Sequence, residues 1–61
     1  MNNVEIILGY IIESPDGDFL TATARLSERL CMANLAHTLN KTWTELEQEG
    51  YKVRSFRMEI L

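Results

Sequence analysis

Alternation dominates the first part of the chain. From Val4 to Ile12 every second residue is apolar: Val4, Ile6, Leu8, Tyr10 and Ile12. That period of two, rich in β-branched side chains, predicts a β-strand. The intervening set, Glu5, Ile7, Gly9, Ile11 and Glu13, is charged at its ends and apolar at its centre. The strand is therefore apolar on both faces over its middle, as a central strand would be.

Ser14-Pro15-Asp16-Gly17-Asp18 follows. Proline suits the second position of a type I turn, aspartate the third, and glycine the left-handed position after it. This predicts a hairpin with the three-residue loop Pro15-Asp16-Gly17, closed by a glycine bulge. The second strand is then Phe19 to Leu26. The loop sets a register in which Ile12 faces Leu20, Tyr10 faces Ala22, Leu8 faces Ala24 and Ile6 faces Leu26. On the other face Ile11 meets Thr21, Gly9 meets Thr23 and Ile7 meets Arg25. A two-residue loop would mix the faces, because a one-residue slip turns every side chain over.

Beyond the hairpin the period lengthens. Ser27 is a good helix N-cap with Glu28 just inside it, and Gly50 is a good residue to end on. The intervening stretch lacks proline and glycine and predicts one helix roughly 33 Å long. Cys31, Met32, Leu35, Ala36, Leu39, Trp43 and Leu46 fall in one sector of it. That sector is expected to cover the Val4/Ile6/Leu8/Tyr10/Ile12 face, with Ala22 and Ala24 making room for Trp43 or Leu39. Tyr51 to Leu61 predicts a third strand. Phe56, Met58 and Ile60 alternate there, but Tyr51 and Val53 are out of phase with them, so a bulge is expected near Arg54-Ser55. The fold class is α+β with elements β-β-α-β. It has a three-stranded sheet in the order 2-1-3, a right-handed crossover and one long helix on one face. The whole chain, 1-61, forms one domain.

One helix covers one sheet face. The second face carries Ile7, Gly9 and Ile11, flanked by Phe19, Thr21 and Thr23, a patch large enough to mark an interface with a second copy or another protein. The alternative is a partly exposed strand shielded by Arg25 and the threonines. The outward side of the helix is also low in charge: from Cys31 to Thr44 the only formal charge is Lys41. Both outer strands offer unpaired backbone edges, the third guarded by Lys52, Arg54 and Arg57.

Composition sharpens this picture at a few points. A chain of 61 residues has one cysteine and one histidine. It can form no internal disulfide, and a zinc site would need carboxylates to complete it. Small scaffolds commonly need a staple, and self-association is the remaining route. The net charge of −3 gives no global attraction for nucleic acid or anionic lipid. The longest apolar run, Ile6 to Ile12, is too short to span a membrane. The N-terminus has no basic leader segment, and the lone cysteine suits a reducing compartment, so the expected location is cytoplasmic.

Candidate chemistry is sparse. His37 has no acid nearby in sequence, and Cys31 sits six residues before it, so the two point in different directions from a helix. Asp16 and Asp18 are explained by turn chemistry, and the later ligands of a calcium loop are missing. No catalytic residue, metal ligand or cofactor is assigned, and the chain reads as a non-enzyme. A subunit whose enzymatic site forms between chains, with His37 contributing, is the competing reading. Lys52, Arg54 and Arg57, interleaved with Tyr51 and Phe56, could contact nucleic acid or an acidic partner. The reading preferred on these residues is a small protein-binding module that associates with itself. It would act by blocking or modulating another macromolecule; a nucleic-acid-binding dimer using the third strand is the alternative. The order hairpin, helix, strand, with the Asp16-Gly17 turn and the net acidity, resembles the small acidic phage inhibitors of uracil-DNA glycosylase. The resemblance holds at the level of topology and implies an inhibitor or anti-defence role. The identity of the partner, the source and the geometry of the dimer are not written in these residues.

Overall fold

The structure is a computed structural model that describes residues 4–61; Met1 to Asn3, read above as part of an N-terminus with no basic leader segment, lie outside them. The elements are β1 (Glu5–Glu13), β2 (Phe19–Arg25), α1 (Glu28–Leu39), α2 (Trp43–Glu49) and β3 (Lys52–Ile60). The sheet order is β2-β1-β3, with β1 antiparallel to both neighbours. The fold is α+β, as the alternation and the helical period predict.

The turn forms as its residues dictate. The Gly17 amide donates to the Ser14 carbonyl at 2.9 Å, the Ser14 amide donates to the Asp18 carbonyl at 2.7 Å, and Gly17 takes a φ of +90°. Ile12 pairs with Leu20 as predicted, but the register then departs from expectation. The next pair is Tyr10 with Arg25, five steps along β2 for two along β1. This wide bulge replaces the predicted pairs of Tyr10 with Ala22, Leu8 with Ala24 and Ile6 with Leu26. Thr23 folds into the gap, and its Oγ1 accepts from the Ile12 amide at 3.0 Å and donates to the Leu20 carbonyl at 2.6 Å. A side chain thus stands where a ladder carbonyl would have been. Arg25 Nη1 donates to the carbonyls of Ala22 and Ala24 and braces the same bulge.

The single long helix is replaced by two. Asn40 adopts a left-handed conformation, φ 54°, and ends α1. The Lys41 amide then donates to the Ala36 carbonyl at 3.0 Å. Thr42 caps α2 in a reciprocal box, its Oγ1 accepting from the Glu45 amide at 3.2 Å and its own amide donating to Glu45 Oε1 at 3.2 Å. Asparagine tolerates the left-handed region better than most residues, and Thr-x-x-Glu satisfies two otherwise orphaned helix donors. Together they outweigh the continuous helix that the lack of proline and glycine suggested. The break divides the helical segment into pieces of 12 and 7 residues in place of one continuous helix.

The core is therefore small. Ile12, Cys31, Leu35 and Leu46 are buried, with Tyr10, Leu20, Ala36, Trp43, Tyr51 and Val53 packed around them. The helices cover β1 only near its C-terminal end. Val4, Ile6 and Leu8, expected beneath the helix, are exposed, Leu8 at 68%. Ala22 is exposed as well and makes room for nothing. Nor does β3 bulge: it pairs with β1 without interruption through nine rungs, from Glu5 opposite Ile60 to Glu13 opposite Lys52. Its hydrophobic phase changes because the two ends face different surroundings. Val53 sits opposite Ile12 on the helix side, whereas Phe56, Met58 and Ile60 point to the other side.

Candidate functional site: the open sheet face

Directly opposed residues of an antiparallel pair share a face. The β1–β3 ladder therefore assigns one row of rungs to the face away from the helices: Glu5 with Ile60, Ile7 with Met58, Gly9 with Phe56, Ile11 with Arg54, and Glu13 with Lys52. Phe19 joins it from β2, opposite Glu13. Of the side chains predicted on this face, Ile7 and Ile11 are half-buried and Phe19 is 56% exposed. Thr21 is exposed on β2. Thr23 is a correction: it is 4% exposed and belongs to the core side. Regular alternation along β2 put it outside, and the bulge turned it in.

Gly9 and Phe56 form the centre of the face. A Cβ built on Gly9 would lie 2.4 Å from Phe56 Cζ and 2.8 Å from Cε2. The phenyl ring therefore lies across β1 in the space that glycine leaves, one of the uses of a glycine inside a strand. Two shallow grooves flank the ring. One is lined by Ile11, Phe19, Arg54 and Ser55, the other by Ile7, Ala24, Arg25, Leu26 and Met58. Phe56, Met58 and Ile60 are the residues of this face that sequence reasoning missed. The signal was present: a glycine at the middle of the most apolar strand needs a large partner, and Phe56 is centred in β3.

Along the β1–β3 rungs the face is charged only toward its ends; Arg25 lines the groove beside Ile7, with its guanidinium turned onto the Ala22 and Ala24 carbonyls. Arg54 Nε donates to Glu13 Oε1 at 2.7 Å across the near end. A pair this exposed contributes little stability, on the order of 0–1 kcal/mol, but it neutralises both charges. Lys52 remains at that end and Glu5 at the other.

The basic residues of β3 do not form one surface. Lys52 and Arg54 belong to the open face, while Arg57 stands opposite Leu8 on the helix side and pairs with Glu59 at 3.1 Å. The open groove between the helices and the β3 edge carries both signs, with Glu28 and Glu47 beside Lys52 and Arg54, and half-buried Trp43 and Tyr51 at its base.

The nucleophile candidates have structural tasks. Cys31 is buried and unpaired; burial raises its thiol pKa above the ordinary value of 9.0, partly offset by a hydrogen bond with Thr23. Ser27 and Thr42 cap helices, and Ser14 Oγ accepts from the Asp18 amide. His37 is exposed in the last turn of α1. Among the described residues no group of three or more His, Cys, Asp or Glu side chains is placed to hold a metal ion. No described helix is long and apolar enough to cross a membrane. No family model matches the chain, and no curated protein or solved structure is significantly similar to it.

Proposed function

We propose that this chain is a non-enzymatic protein-binding module that acts by occupying, and so blocking or modulating, a surface of another macromolecule. One observation carries this reading. The far half of the β1–β3 ribbon exposes aliphatic side chains on both sides: Ile6 and Leu8 beside the Arg57–Glu59 pair on the helix side, Ile7, Met58 and Ile60 on the other, and all but Ile7 of these are exposed. Scattered exposed aliphatics are ordinary, but contiguous ones on two faces of the same ribbon mark surfaces meant to be covered. The commitment of Cys31, Ser14, Ser27, Thr23 and Thr42 to packing, caps and turn chemistry supports binding over catalysis. The division of Lys52, Arg54 and Arg57 between two faces gives the nucleic-acid alternative less support.

The test is site-specific photo-crosslinking in cells, with p-benzoylphenylalanine at position 8 or 19 and at exposed Gln48 of α2 as the control. Adducts of the chain with a different protein from position 8 or 19, and none from position 48, are the expected result. Bare chain and self-adducts alone at every position would rule out action on another macromolecule.

A further inference from the structure

We infer that the open sheet face is covered by a second copy of this chain, packed face to face with its strands antiparallel. The two-fold axis then passes close to the Gly9–Phe56 rung. The inference shares with the proposed function only the premise that this face is an interface; it names the occupant.

Three quantities point to a second copy. The first is area. The chain exposes 4783 Å², whereas a compact monomer of its mass exposes about 4,000 Å². The surplus is close to the roughly 800 Å² that each partner loses in an interface of ordinary size. The second is shape. The radius of gyration is 13.3 Å with extents of 48 × 20 × 14 Å, against about 10.5 Å for a compact chain of this length. A slab of this kind, one layer of sheet with helices over part of one side, becomes a two-layer core when a second sheet is laid on it. The third is the size of the core, whose only buried hydrophobic side chains among the described residues are Ile12, Cys31, Leu35 and Leu46. The chain has no disulfide, so a partner supplies the missing burial. A second copy is present wherever the chain is made, and a foreign partner is not.

The pattern on the face selects the orientation. Its five rungs are centred on Gly9 and Phe56, so an antiparallel copy overlays the full length. Arg54 and Glu13 neutralise each other, leaving Lys52 at one end and Glu5 at the other. Antiparallel stacking sets each Lys52 end over the partner's Glu5 end, twice by symmetry, and parallel stacking sets like over like. The Phe56 ridge and its flanking apolar grooves supply the self-complementary relief that a two-fold interface requires.

The experiment is sedimentation equilibrium or light scattering on the purified full chain over a concentration series. The expected mass is about 14 kDa, twice the 7.0 kDa chain. Met58→Lys, at a side chain already 48% exposed, should leave the circular dichroism unchanged and weaken the dimer by roughly 100-fold, since the lysine would be desolvated without a partner. Glu5→Lys and Lys52→Glu should each weaken the dimer several-fold, and the double exchange E5K/K52E should restore it. The two positions lie at opposite ends of one chain, so restoration can only act between copies. A wild-type monomer at 0.5 mM or more overturns the inference. So does a dimer indifferent to Met58→Lys, and a charge exchange that fails to restore overturns the antiparallel arrangement. A monomer that nonetheless gives heavier crosslinked adducts removes the second copy and leaves the binding function standing.

Discussion

Gly9→Ala tests the centre of the face directly. By itself the substitution favours a strand, because glycine inside one is destabilising by roughly 0.5–1 kcal/mol relative to alanine. Gly9 is not among the residues of positive φ, so its backbone places no obstacle. The obstacle is the ring: the new methyl would lie 2.4 Å from Phe56 Cζ and 3.0 Å from the Arg25 carbonyl oxygen. Phe56 can swing away because β3 is an edge strand, but its burial against β1 is then lost. The Arg25 carbonyl is backbone, in the strand braced by the bulge, and yields less easily. Overpacking of this kind costs about 1–3 kcal/mol. Set against the propensity gain, it gives a net loss of about 0–2.5 kcal/mol. Urea unfolding at one fixed protein concentration measures it, the concentration being held because association adds to apparent stability. In a Phe56→Leu background the clash is relieved, and Gly9→Ala should become neutral or stabilising. The propensity gain cancels in that double-mutant cycle, so the coupling is expected at about 1–3 kcal/mol. Gly9→Ala that stabilises the protein with Phe56 present, or a coupling near zero, would refute the close approach of ring and backbone.

The remaining predictions concern the places where the chain departs from a regular pattern. Thr23→Val keeps the shape but leaves the buried Ile12 amide without its 3.0 Å acceptor. It should cost about 1–3 kcal/mol by denaturant unfolding, where Thr21→Val at an exposed site costs close to nothing. Asn40→Gly should be tolerated and Asn40→Ala should cost about 1 kcal/mol, because only the alanine is strained at φ 54°; loss of this preference would mean that the helix does not break there. The raised thiol pKa of Cys31 makes stability pH-dependent in one window. Above about 9 the unfolded thiol ionises while the buried one holds its proton, so stability falls as pH rises. Lys41, raised chiefly by its hydrogen bond to Glu49, loses its contribution only above 10.5, so the slope between the two values belongs to Cys31. Thermal unfolding of Cys31→Ala across that range should show the slope removed.

Local chemistry made much of the fold legible. Ser14 to Asp18 specified their turn through a proline, an aspartate and a glycine in the right order, and the doubly apolar β1 located the centre of the sheet. What stayed hidden depended on interactions between distant residues. Thr23 is turned inward by the bulge between the Ile12–Leu20 and Tyr10–Arg25 pairs, which no local pattern in β2 marks. The helix break was written in Asn40 and in Thr42-x-x-Glu45. Against a run free of glycine and proline, however, neither signal wins by itself; their adjacency decides it. The Glu13–Arg54 pair joins residues 41 positions apart and has no local trace.

The phase change in β3 connects these failures to the site. A bulge near Arg54-Ser55 follows if one helix covers the whole sheet, since every apolar residue then has to face the same way. Two shorter helices leave the far half of the ribbon uncovered, and the requirement disappears. Tyr51 and Val53 still turn toward the helices, because Leu46 and Ile12 are there to receive them. Phe56, Met58 and Ile60 turn to the other side, where the chain itself supplies no second layer. In the face-to-face arrangement inferred above, a second copy would supply that layer. The irregular hydrophobic period of β3 is thus no defect of the strand. It records two environments along one regular ladder, the helices at one end and the open face at the other.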